Sequence, residues 1–246
     1  MYNFIISGIV AVVAFFIVTL SAGFQYWWAG LLAAALLFAG SFLVIARIVT
    51  KKLQDIMDPA MKDIQAQRFD KGIRDLKEAL KYAKWQIYVE SQINSAIGMV
   101  YYVRREFKTA FPYLEKGFFK NWVTMGMLGI TYMKRNKPDK MKETFDKALM
   151  ASPKESLLYS VYAYCLEETG EHAKACEVLA KGQGKLPGDE NIKQNLELLR
   201  DNKKMKMKGY GDMWLQFHLE PLAVLQKQQM AKQMSMMGKR PRIIRK

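Results

Sequence analysis

Charged and apolar positions divide this chain before any motif does. Residues 1–46 contain no Asp, Glu, Lys or Arg. Two apolar runs occupy this region, FIISGIVAVVAFFIVTLSA (residues 4–22) and AGLLAAALLFAGSFLVIARI (residues 29–48), the second reaching Arg47 only at its end. A bilayer core about 30 Å thick takes roughly 20 residues of helix. Lipid offers no partner for free backbone N–H and C=O groups, so a spanning run must be helical. Each run is long enough, and the pair is expected to form a transmembrane helical hairpin. The link GFQYWW is a very short turn, with Tyr26, Trp27 and Trp28 suited to the headgroup level. Arg47, Lys51 and Lys52 follow the second run directly, while the turn is uncharged. The positive-inside rule then places both termini in the cytoplasm, and the chain is expected in a membrane of the bacterial inner-membrane type. A cleaved signal peptide fits less well, because it would open on a basic region and the first lysine is residue 51.

Beyond the second run, apolar residues recur at helical spacing between Gly- and Pro-containing breaks. Pro153 and Pro187 stand thirty-four residues apart. At that same offset Ala148 falls on Gly182, Phe145 on Leu179, Gly129 on Ala163, Tyr132 on Leu166 and Asn136 on Gly170. Large meets large, small meets small, and a turn residue meets a turn residue. A period of this length marks stacked supersecondary units, none of which can bury its apolar face alone.

The residues that recur resemble those of a known family. WVTMGMLGITYMKRNKPDKMKETFDKALMASP (residues 122–153) carries Leu128, Gly129, Tyr132, Phe145, Ala148 and Pro153. SLLYSVYAYCLEETGEHAKACEVLAKGQGKLP (residues 156–187) carries Tyr159, Ala163, Ala175, Leu179 and Pro187. Both resemble the tetratricopeptide repeat, whose units are pairs of helices A and B with small residues where the two cross. Met141 departs from the pattern, standing where a small residue is usual. Weaker units precede them. One contains Gly98, Tyr101, Ala110, Leu114 and Gly117, with Pro112 inside its second helix, where it should kink that helix. Another has a B helix over residues 69–83, and its A helix around residues 54–67 either matches poorly or continues the second membrane run. Residues 189–202 read as a closing helix. The resulting expectation is an all-α chain in three parts: a transmembrane hairpin (1–48), a short solenoid (49–202) and a basic, Met-rich tail (203–246).

In this family the A helices line a concave surface. The resemblance therefore puts Met99, Tyr102, Ile130, Met133, Leu157 and Tyr164 in an apolar, aromatic groove, beside Gln92, Ser95, Gly126, Ser160 and Glu167. Members that grip a chaperone's C-terminal carboxylate use Lys, Arg and Asn here, and Met99 and Ile130 stand where that clamp needs Asn. The groove suits an apolar helix or extended peptide of a protein partner. Equally open is that several of these side chains pack between helices.

Charge changes the picture at the other end. Residues 203–246 hold eleven basic and two acidic residues, which is +9 of the net +15. Lys239, Arg240, Arg242, Arg245 and Lys246 crowd the last eight positions. Three readings stand open for this tail. MWLQFHLEPLAVL (residues 213–225) folds back onto the last helix or into the groove; the cations meet anionic headgroups; or they meet ribosomal or other RNA phosphates.

Nothing in the chain spells out a catalytic set. Cys165 and Cys176 sit in helical patterns and make no disulfide framework. With His172 they lack zinc-ligand spacing, His218 sits in the apolar tail segment, and KGQGK (residues 181–185) is not a phosphate-binding loop. No enzyme activity, cofactor or metal is expected. The sequence reads as a membrane-anchored scaffold or adaptor that recruits proteins, its oligomeric state left open. The alternative is a ribosome-, RNA- or lipid-associated factor in membrane-protein biogenesis, acting through its tail.

Overall fold

With no charge and no proline before residue 46, nothing interrupts a helix until Gly23, whose φ of 91° an L-residue with a side chain rarely adopts. In the computed structural model, which describes residues 1–220, α1 (Tyr2–Ala22) ends there. A single 3₁₀ turn (Phe24–Tyr26) reverses the chain into α2 (Trp27–Gln65). Both helices are long and apolar enough to cross a membrane. Their polarity is inverted relative to a soluble core. Asn3, Ser7 and Thr19 are buried, whereas Phe4, Ile5, Leu36 and Leu43 face outward. Asn3 Nδ2 donates to the Phe42 carbonyl (3.3 Å), and Ser7 Oγ bonds Asn3 Oδ1 (3.5 Å). Gly30 lets α2 approach α1 closely, since a Cβ there would collide with Thr19 and with Phe15.

The expected break after residue 48 falls inside α2, which runs on as one helix of 39 residues. At 1.5 Å per residue it is about 58 Å long, roughly twice a hydrocarbon core. Its second half carries Asp55, Asp58, Lys62 and Asp63 and is where the apolar stripe narrows. Pro59 lies within it and removes one N–H from the ladder without ending the helix.

The described chain separates into two units, Met1–Leu128 and the part from Gly129 onward, and passes from one to the other within α6 (Trp122–Lys134). In the first unit the second half of α2 packs against α3 (Phe69–Ala79), and α4 (Val89–Val103) packs against α5 (Phe107–Glu115). Leu53, Ala60, Ile73, Leu76, Ile93 and Ile97 form the core. The carboxylate of Asp63 is buried and is held by Lys71 at 2.8 Å and by Arg68. In the second unit α7 (Pro138–Ala151), α8 (Ser156–Glu168), α9 (His172–Lys185) and α10 (Glu190–Arg200) follow in turn. Phe145 stacks on Tyr162 with ring centroids 4.8 Å apart. Asp189 caps α10 by accepting from the Ile192 N–H at 2.9 Å.

Local geometry recurs along the chain. Gln67, Arg105, Asn136, Gly170 and Asn202 each follow a helix with φ between 54° and 80°. After each, the next N–H reaches back five residues: Arg68 to Asp63, Glu106 to Tyr101, Lys137 to Tyr132, Glu171 to Leu166 and Lys203 to Leu198. This is the Schellman closure, which satisfies carbonyls that a helix end would orphan. Ser152 (φ −136°, ψ 67°) and Leu186 (φ −133°, ψ 67°), thirty-four residues apart, share one conformation, each just before a proline that forbids the helical one. A Cβ on Gly98 would lie 2.9 Å from Leu114 Cδ2, and one on Gly129 would lie 2.8 Å from Phe145 Cδ2. Both pairs are sixteen residues apart, so one close helix crossing is made twice.

Candidate functional site

α8 places Ser156, Ser160 and Tyr164 at intervals of four, hence on one face. Residues 203–220 run back across that face. Residues 203–206 leave α10 without regular structure, and in the KKMKMK stretch Lys204, Lys206 and Lys208 are exposed and Met207 is buried. The Lys206 N–H donates to Asn195 Oδ1 on α10 (2.7 Å), and Asn195 Nδ2 meets the Met207 sulfur (3.9 Å). A 3₁₀ turn (Met207–Tyr210) then presents Tyr210, whose hydroxyl lies 3.0 Å from Ser156 Oγ and 2.8 Å from Ser160 Oγ. Gly211 (φ 57°) redirects the chain into α11 (Asp212–Leu215). Trp214, only 2% exposed, packs edge-on against Tyr164 at 5.1 Å and donates Nε1–H to Glu220 at 2.8 Å. Phe217 is fully buried, and Lys134 Nζ donates to the His218 carbonyl at 3.2 Å. Burial, and then the Glu168 carboxylate, push the Tyr164 phenol up to about 12, and burial also raises Tyr210. These eighteen residues form a strap over the α8 face.

Beside the strap a cleft of about 640 Å³ opens between Tyr164, Glu167 and Glu168 on one wall and Lys204, Lys206 and Trp214 on the other. Both signs of charge line it around an aromatic floor.

The residues expected in a groove divide by exposure. Tyr102, Ile130 and Leu157 are buried in the helical core, whereas Met99, Met133 and Tyr164 are half-exposed. In the first unit Met99 takes a contact from Asn121 Nδ2 at 3.8 Å. Ser95 is buried and accepts from the Phe118 N–H at 2.7 Å. In the second unit Tyr164 touches the strap. The tail cations Lys239, Arg240, Arg242, Arg245 and Lys246 lie outside the described residues.

A second cluster joins α8 to α9. His172 Nδ1 lies 2.8 Å from Glu167 Oε1, and its Nε2 lies 3.8 Å from Cys176 Sγ. The acid–imidazole–thiol order is that of a nucleophilic site, but burial and then Glu167 push the Cys176 thiol up, away from the thiolate that such chemistry needs. Cys165 is wholly buried, and its thiol is raised further by the same cause. Among the described residues no group of three or more His, Cys, Asp or Glu side chains is placed to hold a metal ion.

No family model matches the chain, and no curated protein matches it.

Proposed function

We propose that this chain is a non-enzymatic, membrane-anchored adaptor of the tetratricopeptide-repeat kind, integral to the membrane through α1 and α2. One observation carries this reading. The helix that leaves the apolar hairpin is the same unbroken helix, α2, that packs against α3 and opens the helical array. A rigid rod joins anchor and array, where an enzyme domain on a flexible linker would need no such continuity. The repeat assignment is supported by the five Schellman turns and by the matched dihedrals of Ser152 and Leu186. The positive-inside orientation puts the array in the cytoplasm, the bacterial inner membrane being the compartment expected.

The strap suggests what is bound. It lays Tyr210, Trp214 and Phe217 against α8 and its neighbours, so the face accepts an aromatic-rich segment with hydroxyl or amide groups for Ser156, Ser160 and Asn195. A protein partner offering such a segment takes the place of the strap. Solubilising the full chain in mild detergent and recovering bound protein tests the reading. A defined partner, captured better when Trp214 is replaced, supports it. A turnover activity that one point change abolishes, with no partner, overturns it.

A further inference from the structure

The segment YAKWQIY (residues 82–88) is fastened to the open end of the hairpin. The Tyr2 N–H donates to the Lys84 carbonyl (2.9 Å), the Asn3 N–H to the Trp85 carbonyl (3.3 Å), and Gln86 Nε2 to the Ala46 carbonyl of α2 (3.0 Å). Trp85 packs edge-on against Tyr2 at 5.7 Å. These bonds fix the segment's height along the helix axes: it stands where α1 begins and where Arg47, Lys51 and Lys52 follow the apolar run of α2. In a bilayer that height is the headgroup layer, and the composition suits it. Ile87, Tyr88 and Phe119 are 45%, 52% and 42% exposed, and Tyr88 packs on Phe118 at 5.2 Å and on Phe119 at 6.2 Å. Large exposed side chains of this kind are costly in water and stable at an interface, where aromatic rings settle and lysines reach for phosphate.

Between this segment and α1 lies an open cleft of about 660 Å³. Tyr2 and Ile5 of α1, with Ile87 and Tyr88, make its apolar part, and Lys84 and Lys116 bring cations to it. Glu90 is the one carboxylate on the wall. Neither Lys84 nor Lys116 is ion-paired among the described residues, and both are exposed. The cleft is continuous with the outward apolar face of α1, where Ile5 and Ile9 are exposed. Apolar walls that lead onto a lipid-facing helix, capped by two unpaired cations at headgroup height, match an anionic phospholipid and not a free ion or a peptide.

Resting on the reading of α1 and α2 as membrane-spanning, we propose that this cleft binds one anionic phospholipid, its phosphate between Lys84 and Lys116 and an acyl chain along Tyr2 and Ile5 of α1. The lipid then locks the first helical unit onto the leaflet. Each basic residue near an anionic surface is worth a factor of roughly five in binding, so removing both should cost about twenty-five-fold.

The test uses the full chain in nanodiscs of phosphatidylcholine containing a minority of phosphatidylglycerol, with retained lipid counted by native mass spectrometry. The expected result is one phosphatidylglycerol kept in preference to phosphatidylcholine. Lys84→Glu with Lys116→Glu should lose that preference, while Lys154→Glu with Lys181→Glu, an equal charge change at exposed positions of the second unit, keeps it. Water-soluble glycerophosphoglycerol should not compete. Equal retention of both lipids, preference surviving the first pair, loss with the second pair, or competition by the soluble headgroup each overturns the proposal. Resistance to alkaline carbonate extraction is scored on every variant. If the chain resists extraction but keeps no lipid, only the cleft is refuted; if it is extracted, the membrane-spanning reading itself falls.

Discussion

Replacing Trp214 by Ala asks whether the strap is held as the contacts imply. Trp214 is 2% exposed, lies edge-on to Tyr164 at 5.1 Å, and donates to Glu220 at 2.8 Å. Truncating a buried aromatic to Ala typically costs about 3–5 kcal/mol. Because Trp214 contacts the α8 face from the strap side, that loss should appear as local opening and not as global unfolding. At roughly 1.4 kcal/mol per factor of ten, the open population should rise by about two to three and a half powers of ten. Hydrogen exchange reads this directly at strap amides with identified acceptors. These are Lys206, which donates to Asn195 Oδ1, Gly211, which donates to the Lys208 carbonyl, and Phe217, which donates to the Trp214 carbonyl. Their protection should collapse, while the Glu171 amide, which closes α8 onto the Leu166 carbonyl, keeps its own. Tyr164, freed of burial, should also titrate nearer 10 than 12. Unchanged protection along the strap, or an equal loss at Glu171, would refute the idea of a separately held segment.

Other outcomes follow from single contacts. Gly129→Leu forces a side chain into the Phe145 ring and should lower stability by about 1–3 kcal/mol; Gly184→Ala, with nothing within 4 Å of the new Cβ, should be neutral or stabilising in the same thermal melt. Ala175→Trp should destabilise far more than Lys174→Trp, because Ala175 is fully buried and Lys174 only half so. The Asp63 carboxyl is held below its ordinary 3.8 by the hydrogen bond from Lys71 and, against the opposing effect of burial, by Arg68. Its contribution is therefore complete above that pH and is lost as pH falls through the lower, folded value; Asp63→Asn should flatten acid sensitivity in that window, and a slope equal to the parent's would contradict it. In the soluble fragment from residue 53, which lacks α1 and with it the lipid cleft, truncation after Gly238 should abolish salt-sensitive binding to anionic vesicles or to ribosomes, assayed side by side, and leave protein capture intact; undiminished binding to both would leave the tail cations without an electrostatic role.

How much of this was legible in the sequence depended on how local each cause is. The two apolar runs and the GFQYWW turn could be read, because charge and hydropathy decide them residue by residue. The continuation of α2 to Gln65 was only half visible: Pro59 looks like an interruption, yet a proline inside a long, well-packed helix costs one hydrogen bond and leaves the rest. Asn136 and Gly170 announced their turns, being residue types that accept positive φ. Gln67 and Arg105 take the same conformation without the composition that signals it. Groove and core positions were hardest to separate. One residue of register error rotates a helix by about 100°, enough to carry Tyr102, Ile130 and Leu157 from an open face into the interior. The tail was read as folding back over residues 213–225, of which 221–225 lie outside the described residues; the strap starts earlier, at Lys203, and crosses α8. Its anchor through Asn195 and the Tyr210 hydroxyl depends on residues roughly ten and fifty positions away, which no local pattern encodes.

The anchor is tested most directly by spin labels placed along α2 in liposomes, at Leu36→Cys, Leu43→Cys and Asp58→Cys, with Cys165 and Cys176 replaced. A membrane rod that becomes the first helix of the array should give strong collision with oxygen and weak collision with a water-soluble nickel chelate at positions 36 and 43, where the side chains face outward. That order should reverse at position 58, with helical mobility unbroken between. Ready access of the chelate to positions 36 and 43 would mean that the hairpin lies in water, and the membrane-anchored adaptor would be contradicted at its root.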